Sequence, residues 1–221
     1  MANSIIRPKP SAFLFDLDGT LIDSETVWTK AIWQWLASHG IDARIETLSA
    51  LVFGHSWPDI RLALLDAHPG LQGRSPQEDA RELRGFYRKL AEDPRRSIIA
   101  SSVGFFKAAA EIAPCAIVSG SPHDDVEAAT RLCGIDSITA FILGAEDYPR
   151  GKPAPDGYLA AAARLGVEPS ACVVVEDSTA GVRSGLSAGM RVLGLDRNRT
   201  IRQDFSGCFA TVSDLSEIAP G

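Results

Sequence analysis

The chain has 221 residues, of which 45% are hydrophobic and 23% charged, and a net charge of −6. That suits one α/β domain, or a core with a small inserted module. The acidic balance, with no long Lys/Arg cluster, argues against a nucleic-acid partner. No apolar run approaches the roughly 18 residues of a membrane span, so no membrane partner is expected and a cytoplasmic location is the default reading.

A short tail carrying Pro8 and Pro10 leads into an apolar run at residues 12–17, read as the first strand. From about Ser24 to Ser97 no strand pattern occurs. Val27, Ala31, Ile32, Trp35 and Leu36 share one helical face; Ile60, Leu64 and Leu65 fit a second helix after Pro58; Glu82, Phe86, Lys89 and Leu90 belong to a third. The expected division is therefore a core of residues 1–22 and 98–221 with a helical insertion at residues 23–97. Further apolar runs at Cys115–Val118, 140–143, 172–175 and Arg191–Leu195 read as strands, with 209–212 as a candidate sixth. Runs this short and without alternation belong to a sheet covered on both faces. Helical patterns at 124–133, Asp156–Leu165 and 179–188 stop at Gly134, Gly166 and Gly189, where a helix C-cap favours glycine. Strand–helix alternation predicts a Rossmann-like, doubly wound parallel sheet. The cysteines, at 115, 133, 172 and 208, lack C-x-x-C spacing and read as free thiols. The histidines show no metal-ligand spacing.

Ligands of open α/β sheets bind beyond the carboxyl ends of the strands, so the residues closing each strand matter most. The first strand closes on Asp16-Leu17-Asp18-Gly19-Thr20. Two carboxylates this close repel unless a cation or a shared proton offsets them. One can attack a phosphoryl group while the other moves protons, and Gly19 lets the backbone turn toward a ligand. The second strand closes on Ser119-Gly120-Ser121-Pro122, a hydroxyl and backbone N–H groups at the start of a helix, suited to an anion. After the third comes Gly151-Lys152-Pro153-Ala154-Pro155, where two prolines fix the turn that carries Lys152. It is not a P-loop, because Pro153 follows the Gly-Lys pair. The fourth strand closes on Glu176-Asp177-Ser178, hard oxygen donors suited to Mg²⁺. Each string alone also reads as an ordinary turn or helix cap. In that order, however, they supply a nucleophile, an anion cradle, a fixed ammonium and a cation site.

The string from Phe15 to Glu25, with Ser119, with Lys152 in Gly-Lys-Pro-Ala-Pro-Asp and with Glu176-Asp177-Ser178, resembles the four motifs of the haloacid dehalogenase-like superfamily, in the subgroup with a helical cap inserted after the first motif. The resemblance implies a Mg²⁺-dependent phosphatase acting on a small phosphorylated metabolite. It implies Asp16 as nucleophile and metal ligand, and Asp18 as acid/base and carbonyl ligand. It implies Asp177 as a direct metal ligand and Glu176 as one acting through water. Ser119 and Lys152 would hold the phosphoryl group, with Gly19, Thr20, Gly120 and Ser121 beside the substrate. In the insertion, Phe53-Gly54-His55-Ser56-Trp57 is the candidate selector, with His55 and Trp57 as substrate contacts. β-Phosphoglucomutases of this subgroup carry a His and an Arg at the positions of Trp28 and Trp57, which argues against a mutase unless His55 or Arg61 substitutes. Trp28 and Trp57 could instead shape an apolar ledge over the substrate or simply pack.

The alternatives are such a mutase, a metal-independent dehalogenase and a non-catalytic phospho-ligand-binding module. A monomer or weak homodimer is expected. Gly185-Leu-Ser-Ala-Gly189 spells a nucleophile elbow, but the element order around it is wrong for one.

Overall fold

The computed structural model describes residues 6–52, 57–90, 97–197 and 202–221. In chain order the first elements are β1 (Ala12–Phe15), α1 (Ser24–Ser38), α2 (Ile45–Val52), α3 (Trp57–Ala67), α4 (Pro76–Leu90) and α5 (Ala100–Ala110). They are followed by β2 (Cys115–Val118), α6 (His123–Leu132), β3 (Phe141–Leu143), α7 (Asp156–Leu165), β4 (Cys172–Glu176), α8 (Thr179–Ser187), β5 (Arg191–Leu195) and β6 (Ala210–Val212). The chain divides into two compact units, Met1–Ile22 with Ile98–Gly221, and Asp23–Ser97.

In the first unit the strands form one six-stranded sheet in the order β3-β2-β1-β4-β5-β6, with every pairing parallel. Successive side chains of a strand point to opposite faces, and the core divides accordingly. Phe13, Phe15, Ile117, Val173, Val175 and Leu193 pack with Phe105, Phe106 and Val126 of α5 and α6. Ala12, Leu14, Ala116, Val118, Val174 and Val192 pack with Tyr158, Ala161 and Val182 of α7 and α8. Helices on both faces are why these strands carry no polar alternation. The aromatic contacts reinforce the first face: Phe15 and Phe106 lie 4.7 Å apart between ring centroids, and Phe13 meets Phe105 edge-on at 6.2 Å. Burying side chains of this size contributes about 1.5–3 kcal/mol each. From β1 the sheet runs outward through β2 and β3 on one side and through β4, β5 and β6 on the other. β1 therefore lies at the switch point, where sheets of this kind bind their ligands beyond the carboxyl ends.

The strand expected at residues 12–17 ends at Phe15. Beyond it the carbonyl of Leu17 accepts the N–H groups of Thr20, Leu21 and Ile22 at 3.2, 2.8 and 3.1 Å. That turn takes the chain out of the sheet and lifts Asp16 and Asp18 to its rim.

The second unit is helical, with a core of Ala31, Ile32, Trp35 and Leu36 of α1, Leu48 and Val52 of α2, Ile60 and Leu64 of α3, and Leu83 of α4. Asp23 caps α1 by accepting the N–H of Thr26. Buried among these helices is a charge the sequence did not announce. Asp79 is fully buried and accepts hydrogen bonds from Arg61 Nε at 2.8 Å and Arg74 Nε at 2.7 Å. Arg74 also reaches Glu82 at 2.7 Å, and Glu82 accepts the Trp35 indole N–H at 3.0 Å. These donors, Trp35 first and then Arg74, hold the Glu82 carboxyl down to about 2. No helix among the described residues is long and apolar enough to cross a membrane.

Candidate active site

The parallel register aligns the acids. Phe15 pairs with Val175, and the Asp16 N–H extends the ladder to the Val175 carbonyl at 3.0 Å. Asp16 therefore stands level with Glu176. Alternation sends both toward the face covered by α7 and α8, since Leu14 and Val174 point there. Asp16, Glu176 and Asp177 are all buried, and one carboxylate oxygen from each lies within 4.8 Å of the others.

Lys152 reaches into this cluster from the loop before α7. Its Nζ donates to Asp16 Oδ1 at 2.5 Å and to Glu176 Oε1 at 2.6 Å. Burial alone would lower its pKa, but the carboxylates of Asp16 and Glu176 outweigh burial and hold the ammonium well above the usual amine range. Burial pushes the Asp16 carboxyl well up. Lys152 opposes that shift, while Glu176, Asp177 and Asp18 add to it. One ammonium thus faces an excess of negative charge. Asp16 Oδ2 is buried with no hydrogen-bond partner among the described residues. A buried acceptor left open within a cluster of hard oxygen donors fits a divalent cation such as Mg²⁺.

Glu176 is held from every side. Its Oε1 accepts from Lys152 and from the Tyr158 hydroxyl at 2.9 Å. Its Oε2 accepts from the Asp177 N–H, the Ser178 N–H and the Ser178 hydroxyl at 3.1, 3.2 and 3.0 Å. The carboxylate lies so close to the first turn of α8 that no side chain fits at Gly181. Asp177 Oδ1 accepts the Thr20 hydroxyl at 3.3 Å.

At the end of β2, the Ser119 and Ser121 hydroxyls both donate to Asp18 Oδ2, at 3.1 and 2.7 Å. The Ser121 N–H donates to Ser119 Oγ at 3.0 Å. Gly120 is exposed, with open space where a side chain would stand. The loop after β3 clasps this one. Ala145 N–H donates to the Ser121 carbonyl at 2.9 Å, Tyr148 O–H to the Ser119 carbonyl at 2.7 Å and His123 N–H to Glu146 at 3.0 Å. The His123 ring nitrogen Nδ1 meets Asp147 Oδ2 at 2.7 Å, and this bond raises the imidazole pKa. Gly144 admits no side chain, since a Cβ would lie 2.6 Å from the His123 backbone.

The structure therefore gathers Asp16, Lys152, Glu176 and Asp177 at one rim, with Asp18, Ser119 and Ser121 in a second hydrogen-bonded group. The other expected residues lie as follows. Thr20, expected beside the substrate, is wholly buried and turned to Asp177. Gly19, expected to let the backbone turn beside the substrate, donates its N–H to the Ile22 carbonyl at 2.6 Å. Arg61, offered as a substitute phosphate grip, is committed to Asp79 and to the Arg74 carbonyl at 2.8 Å each. Trp57 is partly buried against the helical core and lies edge-on to Trp35 at 6.4 Å. Trp28 stacks on Tyr87 at 4.1 Å. His55 lies outside the described residues. Sequence reasoning missed Tyr158, Tyr148, His123, Asp147 and Gly181. A Tyr in an Ala-rich helix reads as core, and only the fold brings its hydroxyl to Glu176.

Comparison with known proteins identifies the family. A family model described as haloacid dehalogenase-like hydrolase matches residues 10–189. The chain is 33% identical over 186 residues to hexitol phosphatase A of Escherichia coli, covering 83% of this chain and 82% of that one. It is 29% identical over 180 residues to the fructose-1-phosphate phosphatase YqaB of Escherichia coli, covering 81% and 93%. Among solved structures it resembles a β-phosphoglucomutase from Clostridium difficile, with a TM-score of 0.71 and 23% identity over 94% of this chain and 92% of that one, a likeness of fold. With the family model spanning most of its length and the motif residues at the carboxyl ends of the central strands, this chain belongs to the haloacid dehalogenase-like hydrolase family.

Proposed function

We propose that the protein is a Mg²⁺-dependent phosphatase that hydrolyses a small phosphorylated metabolite, a sugar phosphate in class, through an aspartyl-phosphate on Asp16. The observation that carries this reading is the pairing of Lys152 with Asp16 at 2.5 Å while Asp16 Oδ2 is buried with no hydrogen-bond partner among the described residues. That carboxylate is oriented by Lys152 and desolvated, which suits a nucleophile whose second oxygen binds a cation. Asp16, Asp177 and the Asp18 carbonyl would hold the metal, with Glu176 acting through water or through its grip on Lys152. When bound, Mg²⁺ supplies positive charge that offsets the crowded carboxylates and the phosphoryl oxygens.

The chain's own residues account for the proton and phosphoryl steps. An Asp16 oxygen attacks phosphorus and the ester P–O bond breaks. Asp18 gives a proton to the departing alkoxide, then takes one from the water that attacks phosphorus. The acyl–phosphate P–O bond breaks, the Asp16 carboxylate is restored and inorganic phosphate leaves. Lys152 neutralises charge on the transferring group. The Ser119 hydroxyl, now donating to Asp18, would turn to a phosphoryl oxygen when substrate binds. The names of the relatives, a hexitol phosphatase and a fructose-1-phosphate phosphatase, support the substrate class. The commitment of Arg61 to Asp79 removes one grip a bisphosphate intermediate would need, which favours hydrolysis over mutase turnover.

The test is release of inorganic phosphate from a panel of hexose, hexitol and pentose phosphates with Mg²⁺, for the native protein and for Asp16→Asn. Turnover confined to the native protein is expected. Full activity in Asp16→Asn, or conversion of β-glucose 1-phosphate to glucose 6-phosphate without free phosphate, would overturn the reading.

A further inference from the structure

The turn that carries Asp177 is braced from a part of the chain that no motif includes. Asp177 and the N-cap Ser178 precede α8. The first N–H groups of a helix have no partner inside it, and around this turn side chains supply acceptors. Those of Asp177 and Ser178 go to Glu176, and that of Gly181 goes to the Ser178 hydroxyl. The N–H of Thr179 donates to the side-chain carbonyl of Gln203 at 2.8 Å. The link is reciprocal, because the Asp204 N–H donates back to the Thr179 hydroxyl at 2.8 Å.

The segment that presents Gln203 is itself seated. Phe205 packs where Gly194 of β5 leaves no room for a side chain, and Leu186 of α8 occupies the equivalent space at Gly207. Phe209 N–H donates to the Val192 carbonyl at 3.0 Å. Gln203 also lies beyond residues 10–189, the stretch matched by the family model.

We infer that Gln203 is a positioning residue for the metal site: its carboxamide fixes the first turn of α8 and, through it, the Asp177 carboxylate. This rests on the Mg²⁺-dependent reading above. A magnesium ion demands near-ideal octahedral geometry at short distance, so it discriminates sharply against a carboxylate that wanders. Gln203 stands two residues from Asp177 through its bond to Thr179, and acts on its backbone without touching the metal. Removing the acceptor leaves the Thr179 N–H to water and lets the turn fray. A lost helix cap of this kind corresponds to about a five- to tenfold change in an equilibrium constant.

The experiment is calorimetric titration of Mg²⁺ into the full chain, without substrate, for the native protein, Gln203→Ala and Gln203→Glu. The expected result is Mg²⁺ affinity about five- to tenfold weaker in Gln203→Ala, restored in Gln203→Glu, whose carboxylate can accept the same N–H. The kcat at saturating Mg²⁺ should stay within about twofold of native in both, which a general loosening of the fold would not allow. Equal Mg²⁺ affinity in native protein and Gln203→Ala overturns the inference and leaves the phosphatase reading intact. Weak binding in both variants assigns the loss to altered packing and overturns it as well. Absence of Mg²⁺ binding by the native protein overturns the metal reading and this inference with it.

Discussion

A Cβ on Gly181 would fall 1.8 Å from the carboxylate of Glu176. The carboxylate that it would meet is held by five hydrogen bonds. Gly181→Ala must therefore push Glu176 away from Lys152 or distort the start of α8. Steady-state kinetics should show kcat lowered by at least about tenfold, and urea denaturation a loss of about 1–3 kcal/mol, the usual cost of overpacking. Native kcat in the purified variant would show that Glu176 need not hold Lys152.

Crowded carboxylates predict a stability response to metal. Asp16 is buried beside Glu176, Asp177 and Asp18, and the Lys152 ammonium pairs with Asp16 and Glu176. Removing its charge should relieve repulsion. Asp16→Asn is expected to melt higher than the native protein in EDTA while losing turnover. Mg²⁺ at about 100 times its Kd should stabilise the native protein by roughly 2.7 kcal/mol, and Asp16→Asn by less. Differential scanning calorimetry with and without Mg²⁺ reads both, and EDTA should abolish phosphate release until Mg²⁺ is restored. A native melting temperature indifferent to Mg²⁺ would count against the cation site.

In the helical unit, Asp79 is fully buried between two arginines. Asp79→Ala would take the carboxylate from Arg61, leaving it the Arg74 carbonyl, and would leave Arg74 its pair with Glu82. Breaking a buried ion pair on one side typically costs about 3–5 kcal/mol, and the loss should appear in urea unfolding followed by tryptophan fluorescence. Asp79→Asn, which retains one carbonyl acceptor, should cost less. A loss below about 1 kcal/mol for Asp79→Ala would show that solvent reaches the arginines readily.

The exposed pair of His123 and Asp147 offers a pH test. Asp147 raises the His123 pKa above 6.5, with smaller help from Asp124 and Glu127, and the Asp147 carboxyl is lowered in turn. A raised folded value means that the contribution of His123 to stability is complete below the unfolded value near 6.5. It fades as pH rises through the folded value. Because the pair is exposed, its worth is at most about 1 kcal/mol. An NMR titration of the His123 ring should give a pKa above 6.5 that returns toward it in Asp147→Asn. An unshifted native value would mean that the pair does not form in solution.

The central strands β1, β2 and β4 were readable because each is an apolar run closed by polar residues, which is what burial on both faces requires. α5 was not, although it lines the core with Phe105 and Phe106. Its sequence, ASSVGFFKAAA, has little contrast between faces and a glycine at its centre, so periodicity carries no signal there. α2 has only eight residues, too few to establish a period. At the site, the acids and Lys152 were legible because each terminates a strand or sits on a proline-fixed turn. Tyr158, His123 and Gln203 act through partners 18, 24 and 24 residues away in sequence. Nothing local marks a hydroxyl, an imidazole or a carboxamide for such a contact.

The pairing of β1 has a consequence for how this chain can vary in length. β1 is matched residue for residue on both sides, Phe15 with Ile117 and with Val175, and Asp16 follows at once. One amino acid inserted or deleted within those four positions would turn Asp16 to the opposite face of the sheet, away from Lys152. An inserted residue in the turn between α3 and α4 would shift nothing in that ladder. Heritable changes of length should therefore be tolerated in the connections and rejected in β1, whatever the substrate selected.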